Sequence, residues 1–368
     1  MRGDRVRWVL TGLEADASTS PVLQWFAERL RSRLFGPEAG NGTPATQVVW
    51  NFFVPSAPKP YHRSAQSTFV VGVTSGPLPE GEVLAACYPL MVRSLSNHLV
   101  YLVQDPAGGP EPLETYFITL ERGYYAINGA GPEYMDHVLE RIRPLATSHL
   151  VIDNQFVPDL PQELWHGNER TQAMAEASRR LKDMDVLPAP FPIDRLLSPR
   201  DWDHLKRMFQ MGGLSYGNVS VREPGLGFWM SASGVDKSRL EVIGEEILLV
   251  RGYDAENNRM VVSVPPDMRP RRVSVDAIEH TMIYEEFARV GAILHVHAWM
   301  EGAVSTDINY PCGTVELAHA VRDRLASLED PVHGVVGLRN HGLTITGESL
   351  PEIFDRVAPR LLRQIPMQ

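Results

Sequence analysis

The chain contains the stretch Ala292-Ile293-Leu294-His295-Val296-His297-Ala298, in which two histidines end an apolar run. Such a run is typical of a buried strand, and residues two apart on a strand point to the same face of its sheet. Two neutral imidazoles that converge on one point are good ligands for a divalent transition metal. The stretch therefore predicts a strand that carries a metal site.

A third histidine, His341, follows 44 residues after His297 and precedes Gly342, which is suited to a sharp turn at a strand end. Alone, a His-x-His pair would indicate two core or surface histidines. Three histidines leave one coordination position open, as in a catalytic metal site. We predict one divalent transition metal held by His295, His297 and His341, with zinc as first choice and Fe2+, Mn2+, Ni2+ or Co2+ as alternatives.

Length and composition restrict the class of protein. A chain of 368 residues predicts two domains, and 43% hydrophobic with 22% charged residues is typical of a soluble protein. We expect no membrane-spanning segment and no secretory signal, because no apolar stretch reaches spanning length and the first ten residues contain no apolar h-region or cleavage site. The two cysteines, Cys87 and Cys312, exclude a disulfide framework and indicate ordinary thiols in the cytoplasm.

The formal net charge of −10 argues against nucleic acid or an anionic membrane as partner, since both need a basic face. The expected partner is therefore a small-molecule substrate. This substrate can be anionic, because a few local hydrogen-bond donors suffice to bind a phosphate.

A proline-rich segment, residues 187–192, marks the predicted domain boundary. We predict a mixed α+β domain over residues 1–187, an extended linker over 188–195, and a metal-binding α/β (α+β) domain over 196–368. The first domain has no phosphate loop or metal motif, which leaves an interaction, dimerisation or regulatory role. In the second, the patterns predict several strands first, with helices packed around them. The predicted strands are 218–221, 227–231, 247–253, 259–263, 334–338 and 343–346, and the predicted helices are 276–289 and 314–327.

Three further segments fit around the histidines. The Gly217-Asn218 turn can direct backbone and amide groups toward an anion. The run from Ser233 and Gly234 to Lys237 offers a hydroxyl, a close backbone approach and a positive charge. Ser274 and Asp276 precede a predicted helix, whose N-terminal amides favour a bound anion.

With these motifs in this order, the second half resembles the class II aldolase/adducin family over residues 196–362. The resemblance implies a central, mainly antiparallel sheet flanked by helices and a homo-oligomer, either a tetramer or a dimer. It also implies that the three histidines bind the metal. A substrate pocket for the anionic end of the substrate is implied as well, formed by Gly217, Asn218, Ser233, Gly234, Lys237 and Ser274.

The same resemblance implies a catalytic carboxylate nineteen residues before His295, where the family's aldolases have glutamate and its epimerases aspartate. This position is Asp276, which we predict as the proton carrier, with Glu279 as the alternative base. Tyr310 is the candidate for a catalytic tyrosine. Asp307 is a weaker candidate for the epimerases' second aspartate.

One phosphate-binding hydroxyl of the family is missing, because Val275 follows Ser274; this leaves a non-phosphorylated substrate as an alternative. The leading hypothesis is a divalent-metal-dependent lyase, of aldolase or dehydratase type, that acts on a small hydroxy-carbonyl or sugar-phosphate-like substrate through a metal-stabilised enediolate. The alternatives are an epimerase or decarboxylase that uses the same intermediate, and a non-catalytic adducin-like assembly module.

Overall fold

The computed structural model describes residues 6–13, 20–34, 46–63, 68–120, 123–186, 193–209 and 217–367. Its contacts divide the chain into two compact units. The first comprises Met1–Thr147, Phe191–Phe209 and Met367–Gln368, and the second comprises Ser148–Pro190 and Gln210–Pro366. None of the helices in the described ranges has the length and apolar character that crossing a membrane requires.

The first unit is an α/β arrangement of six strands and five helices in its described ranges. The elements are β1 (Val6–Thr11), α1 (Pro21–Leu34), β2 (Thr46–Phe52), β3 (Thr68–Gly76), α2 (Val83–Arg93), β4 (His98–Val103), β5 (Glu114–Thr119), β6 (Tyr124–Asn128), α3 (Tyr134–Thr147), α5 (Ile193–Leu196) and α6 (Pro199–Phe209). The strands form one sheet in chain order. Strands β1 to β4 run parallel, whereas β5 and β6 are antiparallel additions. The parallel strands are rich in buried, β-branched residues because helices cover them.

The second unit combines a larger sheet with flanking helices. Its elements are β7 (Asp153–Val157), a 3-10 helix (Gln162–Leu164), α4 (Glu169–Asp183), β8 (Asn218–Glu223), β9 (Gly227–Ser231), β10 (Ile247–Asp254), β11 (Arg259–Ser263), α7 (Ala277–Glu286), β12 (Ala292–Val296), β13 (Val304–Ser305), α8 (Val315–Ala326), β14 (Val335–Leu338), β15 (Gly342–Gly347), α9 (Leu350–Val357) and a 3-10 helix (Ala358–Arg360). The nine strands lie in the order β13-β14-β15-β12-β8-β9-β10-β11-β7. Six of the eight strand pairs are antiparallel, and the two outermost pairs are parallel. The predicted fold class, with a mainly antiparallel sheet flanked by helices and a separate mixed α+β part, is confirmed.

The units do not follow the predicted boundaries of 1–187, 188–195 and 196–368. Residues 148–190 belong to the second unit, because β7 pairs in parallel with β11. Residues 191–209 group with the first unit, in which Arg93 of α2 forms a 2.8 Å ion pair with Asp201 of α6. The proline-rich residues 187–192 lie outside the described ranges, and residues 193–195 of the predicted linker belong to α5.

Candidate metal centre

Strand β12 lies in the middle of the second sheet, between β8 and β15. All five of its residues are buried, as the apolar run predicts. His295 pairs with Asn218 of β8 on one side and with Thr344 of β15 on the other. Residues that face each other in antiparallel strands project to the same side, so these three side chains form a row across the sheet.

His341 lies in the turn between β14 and β15, where its backbone N–H donates to the Leu338 carbonyl at 2.9 Å. Asn340 has a φ of +57°, the left-handed conformation that a tight turn needs. A Cβ atom on Gly342 would stand 2.2 Å from the Val296 carbonyl oxygen. Glycine is therefore needed there for the close approach of this turn to the end of β12.

The three predicted metal ligands come together in the structure. His295, His297 and His341 are 2%, 6% and 3% exposed, and their candidate ligand atoms all lie within 4.8 Å of one another. Nε2 of His297 is 3.1 Å from Nε2 of His341. The Leu343 carbonyl lies 3.1 Å from Nδ1 of His295; since a carbonyl can only accept, Nδ1 donates and Nε2 keeps its lone pair.

This donor set fits a metal. Imidazole nitrogens at about 2.0–2.1 Å from a tetrahedral zinc are about 3.3 Å apart, close to the separation between His297 and His341. The second-shell bond from His295 to a backbone carbonyl is of the kind that orients metal-bound imidazoles.

Asp276 occupies the N-cap position of α7 and is 6% exposed. The Asn218 amide donates to Oδ2 of Asp276 at 2.7 Å, while Oδ1 is buried without a hydrogen-bond partner. Because Asn218 is paired with His295, this hydrogen bond holds the carboxylate beside the row formed by Asn218, His295 and Thr344. A buried oxygen with no partner is costly unless a ligand or a proton satisfies it.

Glu279 lies one helical turn after Asp276 and is 2% exposed. The Thr344 hydroxyl donates to Oε1 of Glu279 at 2.5 Å. Burial raises the pKa of Glu279 to about 8, with the negative charge of Asp276 acting in the same direction and the Thr344 hydrogen bond opposing both effects. The two neighbours of His295 in the row therefore each bind one carboxyl group. Asn218 binds the carboxyl group of Asp276, and Thr344 binds the carboxyl group of Glu279.

Gly217 and Lys237 also meet here. The buried Lys237 ammonium donates to the Gly217 carbonyl. Gly217 has a φ of +82°, and a Cβ atom on it would lie 2.6 Å from the His295 carbonyl oxygen. The turn therefore packs against β12 directly beside the three histidines, as expected for a glycine that allows a close approach.

The remaining predicted substrate residues lie on two neighbouring segments. The N–H of Ser233 donates to the Arg272 carbonyl at 2.8 Å, and that of Ser274 donates to the Ser231 carbonyl at 3.1 Å. Ser274 is buried and lies two residues before Asp276, whereas Ser233 is half-buried and Gly234 is exposed. Ser274 thus lies next to the carboxylate in the chain, and Ser233 and Gly234 lie on the turn that leads to Lys237.

The two other predicted residues, Tyr310 and Asp307, lie on the loop between β13 and α8, and only the first of them packs against the core. The Tyr310 ring packs against the core of the second unit; burial raises the pKa of its hydroxyl, and so does the negative charge of Glu316. The Asp307 side chain is 84% exposed and pairs with Arg324. An exposed, ion-paired carboxylate is a poor proton carrier, so the structure does not favour Asp307.

Cys312 and His280 were missed as site residues by the sequence reasoning. The Cys312 sulfur lies 3.2 Å from Nε2 and 3.5 Å from Nδ1 of His341. Nδ1 of His280 lies 2.7 Å from the Ser220 hydroxyl in a buried network with Tyr284. Burial lowers the pKa of His280, and nearby His295 lowers it further. The His280 imidazole is therefore neutral. The sequence signals that could have identified these two residues are weak. His280 follows Glu279 directly, and Cys312 belongs to the Tyr310-Pro311-Cys312-Gly313 loop.

Residues 205–309 match the family described as Class II Aldolase and Adducin N-terminal domain. A comparison with curated proteins found no match.

Several solved structures are similar to about half of this chain. L-fuculose-1-phosphate aldolase from Thermus thermophilus is 20% identical with a TM-score of 0.33, over 52% of this chain and 89% of its own. The N-terminal class II aldolase domain of a conserved protein from Thermoplasma acidophilum is 15% identical with a TM-score of 0.33, over 54% and 93%. An aldolase II superfamily protein from Pseudomonas syringae is 17% identical with a TM-score of 0.33, over 54% and 73%. The resemblance read from the motifs is confirmed by this family match, which extends over residues 205–309.

Proposed function

We propose that the second unit is a divalent-metal-dependent lyase, of aldolase or dehydratase type, for a small hydroxy-carbonyl or sugar-phosphate-like substrate. The observation that carries this proposal is the convergence of three buried histidines beside a buried carboxylate with one free oxygen. Such sites combine a Lewis acid with a proton carrier, which is what bond cleavage next to a carbonyl requires.

His295, His297 and His341 would hold the metal, with zinc as first choice. When bound, the metal supplies Lewis acidity that polarises a substrate carbonyl and makes the neighbouring proton more acidic. The neutral Nε2 lone pair of His295 is fixed by its Leu343 hydrogen bond, so the ligand is oriented before any metal arrives.

Asp276 is the proposed proton carrier. The Asn218 hydrogen bond fixes Oδ2, which leaves Oδ1 to accept a proton from the substrate and return it later. Glu279, the alternative base, is mainly uncharged at neutral pH because its pKa is raised to about 8, and an uncharged carboxyl cannot accept a proton. These contacts favour Asp276 as the base, and Tyr310 remains a candidate proton donor on the loop before α8.

The anionic end of the substrate would meet Lys237 and the nearby turns. The positive charge of Lys237 is buried next to Gly217, where its attraction for an anion is less screened than at the surface. Asn218, Ser233, Gly234 and Ser274 complete the proposed substrate-binding set. A cytoplasmic location and a homo-oligomeric state, tetramer or dimer, stay predictions.

The test begins with the metal content of the full-length protein, measured by elemental mass spectrometry. The metal-loaded protein is then assayed for aldol cleavage and for dehydration of a panel of sugar phosphates and hydroxy acids. We expect about one equivalent of metal in the active protein, and turnover lost in both His341→Ala and Asp276→Asn. Metal should be lost only in His341→Ala.

Other outcomes separate the alternatives. Isomerised or decarboxylated products without cleavage would replace the lyase by an epimerase or decarboxylase that uses the same residues. A protein that binds no metal even after reconstitution would exclude the proposed enzyme and indicate an adducin-like assembly module.

A further inference from the structure

His280 lies on the face of α7 that packs against β8, one helical turn after Asp276. Asp276 accepts a hydrogen bond from Asn218, and Nδ1 of His280 lies 2.7 Å from the Ser220 hydroxyl. Asn218 and Ser220 are two residues apart on β8, so their side chains project to the same face of the sheet. The two contacts therefore lie side by side between the helix and the strand.

Two buried polar atoms of these side chains lack a hydrogen-bond partner among the described residues, namely Nε2 of His280 and Oδ1 of Asn218. His280 is 0% and Asn218 is 1% exposed. The carboxylate of Asp276 accepts from Nδ2 of Asn218 and would repel Oδ1, so the orientation of the amide is fixed. Buried polar atoms without a partner are rare and costly, so both atoms require an explanation.

The hydroxyl groups beside His280 determine which of its ring nitrogens carries hydrogen. The buried Ser220 hydroxyl lies between Nδ1 of His280 and the buried Tyr284 hydroxyl, at 2.7 and 2.9 Å. Burial lowers the pKa of His280, so the imidazole is neutral and only one nitrogen carries hydrogen. With hydrogen on Nδ1, either Ser220 or Tyr284 would keep an O–H without an acceptor among the described residues. Both O–H groups have an acceptor when Tyr284 donates to Ser220 and Ser220 donates to Nδ1, which places the hydrogen of the ring on Nε2.

We infer that His280 is a positioning residue for the proposed base, and that its Nε2–H donates to one buried water molecule that in turn donates to Oδ1 of Asn218. Water fits because it can accept from the one atom and donate to the other, and buried waters commonly bridge such pairs. The inference rests on the proposed role of Asp276 as proton carrier. Oδ1 of Asp276 takes no part in the bridge and stays available to the substrate.

The bridge has two chemical consequences. A ring nitrogen that carries hydrogen has no lone pair for a metal, so His280 is not a metal ligand and the three-histidine centre keeps its open position. The bridging water also prevents the Asn218 amide from turning Oδ1 toward Asp276, which keeps the carboxylate in one orientation. His280 thus acts on the proton transfer only through Asn218.

The first test measures the tautomer of His280 in the full-length protein as purified. Two-bond correlation of hydrogen and nitrogen in protein labelled with 15N-histidine distinguishes hydrogen on Nε2 from hydrogen on Nδ1. The His280 signals are assigned through contacts with the Tyr284 ring and by their absence in His280→Gln. We expect hydrogen on Nε2, and magnetisation transfer between this hydrogen and a long-lived water molecule.

The second test compares two replacements of His280 that differ in reach. The amide of glutamine can occupy the place of Nε2 and keep a donor to the water, whereas the shorter asparagine reaches only the place of Nδ1. We expect kcat of His280→Asn to fall about 10–100-fold, the range typical of a lost outer-shell partner, with KM and metal content unchanged. His280→Gln should recover most of this loss. Circular dichroism checks that both variants are folded.

The outcomes separate this inference from the proposed function. Hydrogen on Nδ1, or hydrogen on Nε2 without a neighbouring water, overturns the bridge and leaves the proposed lyase intact. Equal losses of kcat in folded His280→Asn and His280→Gln overturn the positioning role. Hydrogen on Nε2 beside a bound water, in a wild-type protein that turns over no substrate, supports the bridge and counts against the lyase.

Discussion

Nε2 of His297 lies 3.1 Å from Nε2 of His341, although 44 residues separate them in the chain. The turn between β14 and β15 and the end of β12 bring these nitrogens together, and Gly342 allows the approach. Two imidazoles at this distance can share one proton or one metal ion. The arrangement is built before a ligand arrives, so the ligand should stabilise the folded state.

Metal binding should raise the unfolding temperature of the second unit. At a free zinc concentration about one hundred times the dissociation constant, the folded state gains about 2.7 kcal/mol, or roughly 5–10 °C for a unit of this size. Differential scanning calorimetry with zinc and with a chelator measures the difference. His297→Ala should remove it, whereas His319→Ala, on the exposed side of α8, should keep it. An equal zinc effect in His297→Ala would contradict the assignment.

Asp276→Asn should lower turnover by about 10²–10⁴-fold, the range typical of a lost general base. The amide keeps the size of the side chain but cannot accept the proton at Oδ1. The three proposed metal ligands are histidines and are unchanged in this variant, so the amount of bound metal should stay near that of the wild type. Steady-state kinetics beside elemental analysis gives both numbers; full activity in the variant would exclude Asp276 as the proton carrier.

Stability should fall as the pH rises through about 8, because Glu279 is buried uncharged. Its pKa in the folded protein is raised above the ordinary value of 4.5, so the folded state binds the proton more tightly than the unfolded state does. This stabilisation is complete below the unfolded pKa and is lost as the pH passes the folded pKa. Urea unfolding of the metal-free protein between about pH 5 and pH 9 measures the loss.

Glu279→Gln cannot ionise and keeps an acceptor for the Thr344 hydroxyl, so its unfolding midpoint should depend less on pH over this range. Glu285→Gln, an exposed position in the same helix, should behave like the wild type. Parallel pH profiles in the wild type and Glu279→Gln would show that Glu279 ionises freely in the folded protein.

Two glycines with similar backbone angles should respond differently to alanine. Gly217 and Gly234 both have a positive φ, which costs alanine about 1–2 kcal/mol. A Cβ atom on Gly234 meets nothing within 4 Å, whereas one on Gly217 meets the His295 carbonyl oxygen at 2.6 Å. Gly217→Ala should therefore lose more stability than Gly234→Ala, and also metal affinity. Equal losses in urea unfolding and zinc titration would show that the turn moves away freely.

Much of the second sheet could be predicted from local sequence. The strands at 227–231 and 259–263 have the predicted bounds, and β12 is the strand expected from its apolar run. The three histidines converge as predicted because the i, i+2 spacing fixes two of them and the His341 turn is local.

The rest depends on contacts between distant segments. No local pattern shows that β7 pairs with β11, and for that reason the predicted boundary assigned residues 148–187 to the first unit. No sequence pattern indicates that Thr344 contacts Glu279. The position of Cys312 likewise depends on the packing of its loop against Val275, which the local sequence does not show. Register and loop packing, rather than periodicity, decide these positions.

The row formed by Asn218, His295 and Thr344 makes the centre sensitive to chain length as well as to residue type. Side chains alternate along a strand, so one residue inserted into β12 before Leu294 would turn His295 and the following His297 toward the opposite face. The same insertion would bring Leu294 to the face where the row had been. A variant of that kind would retain every ligand in its sequence and still have no metal site, whereas a two-residue insertion would restore the facing of the histidines while shifting them along their neighbours.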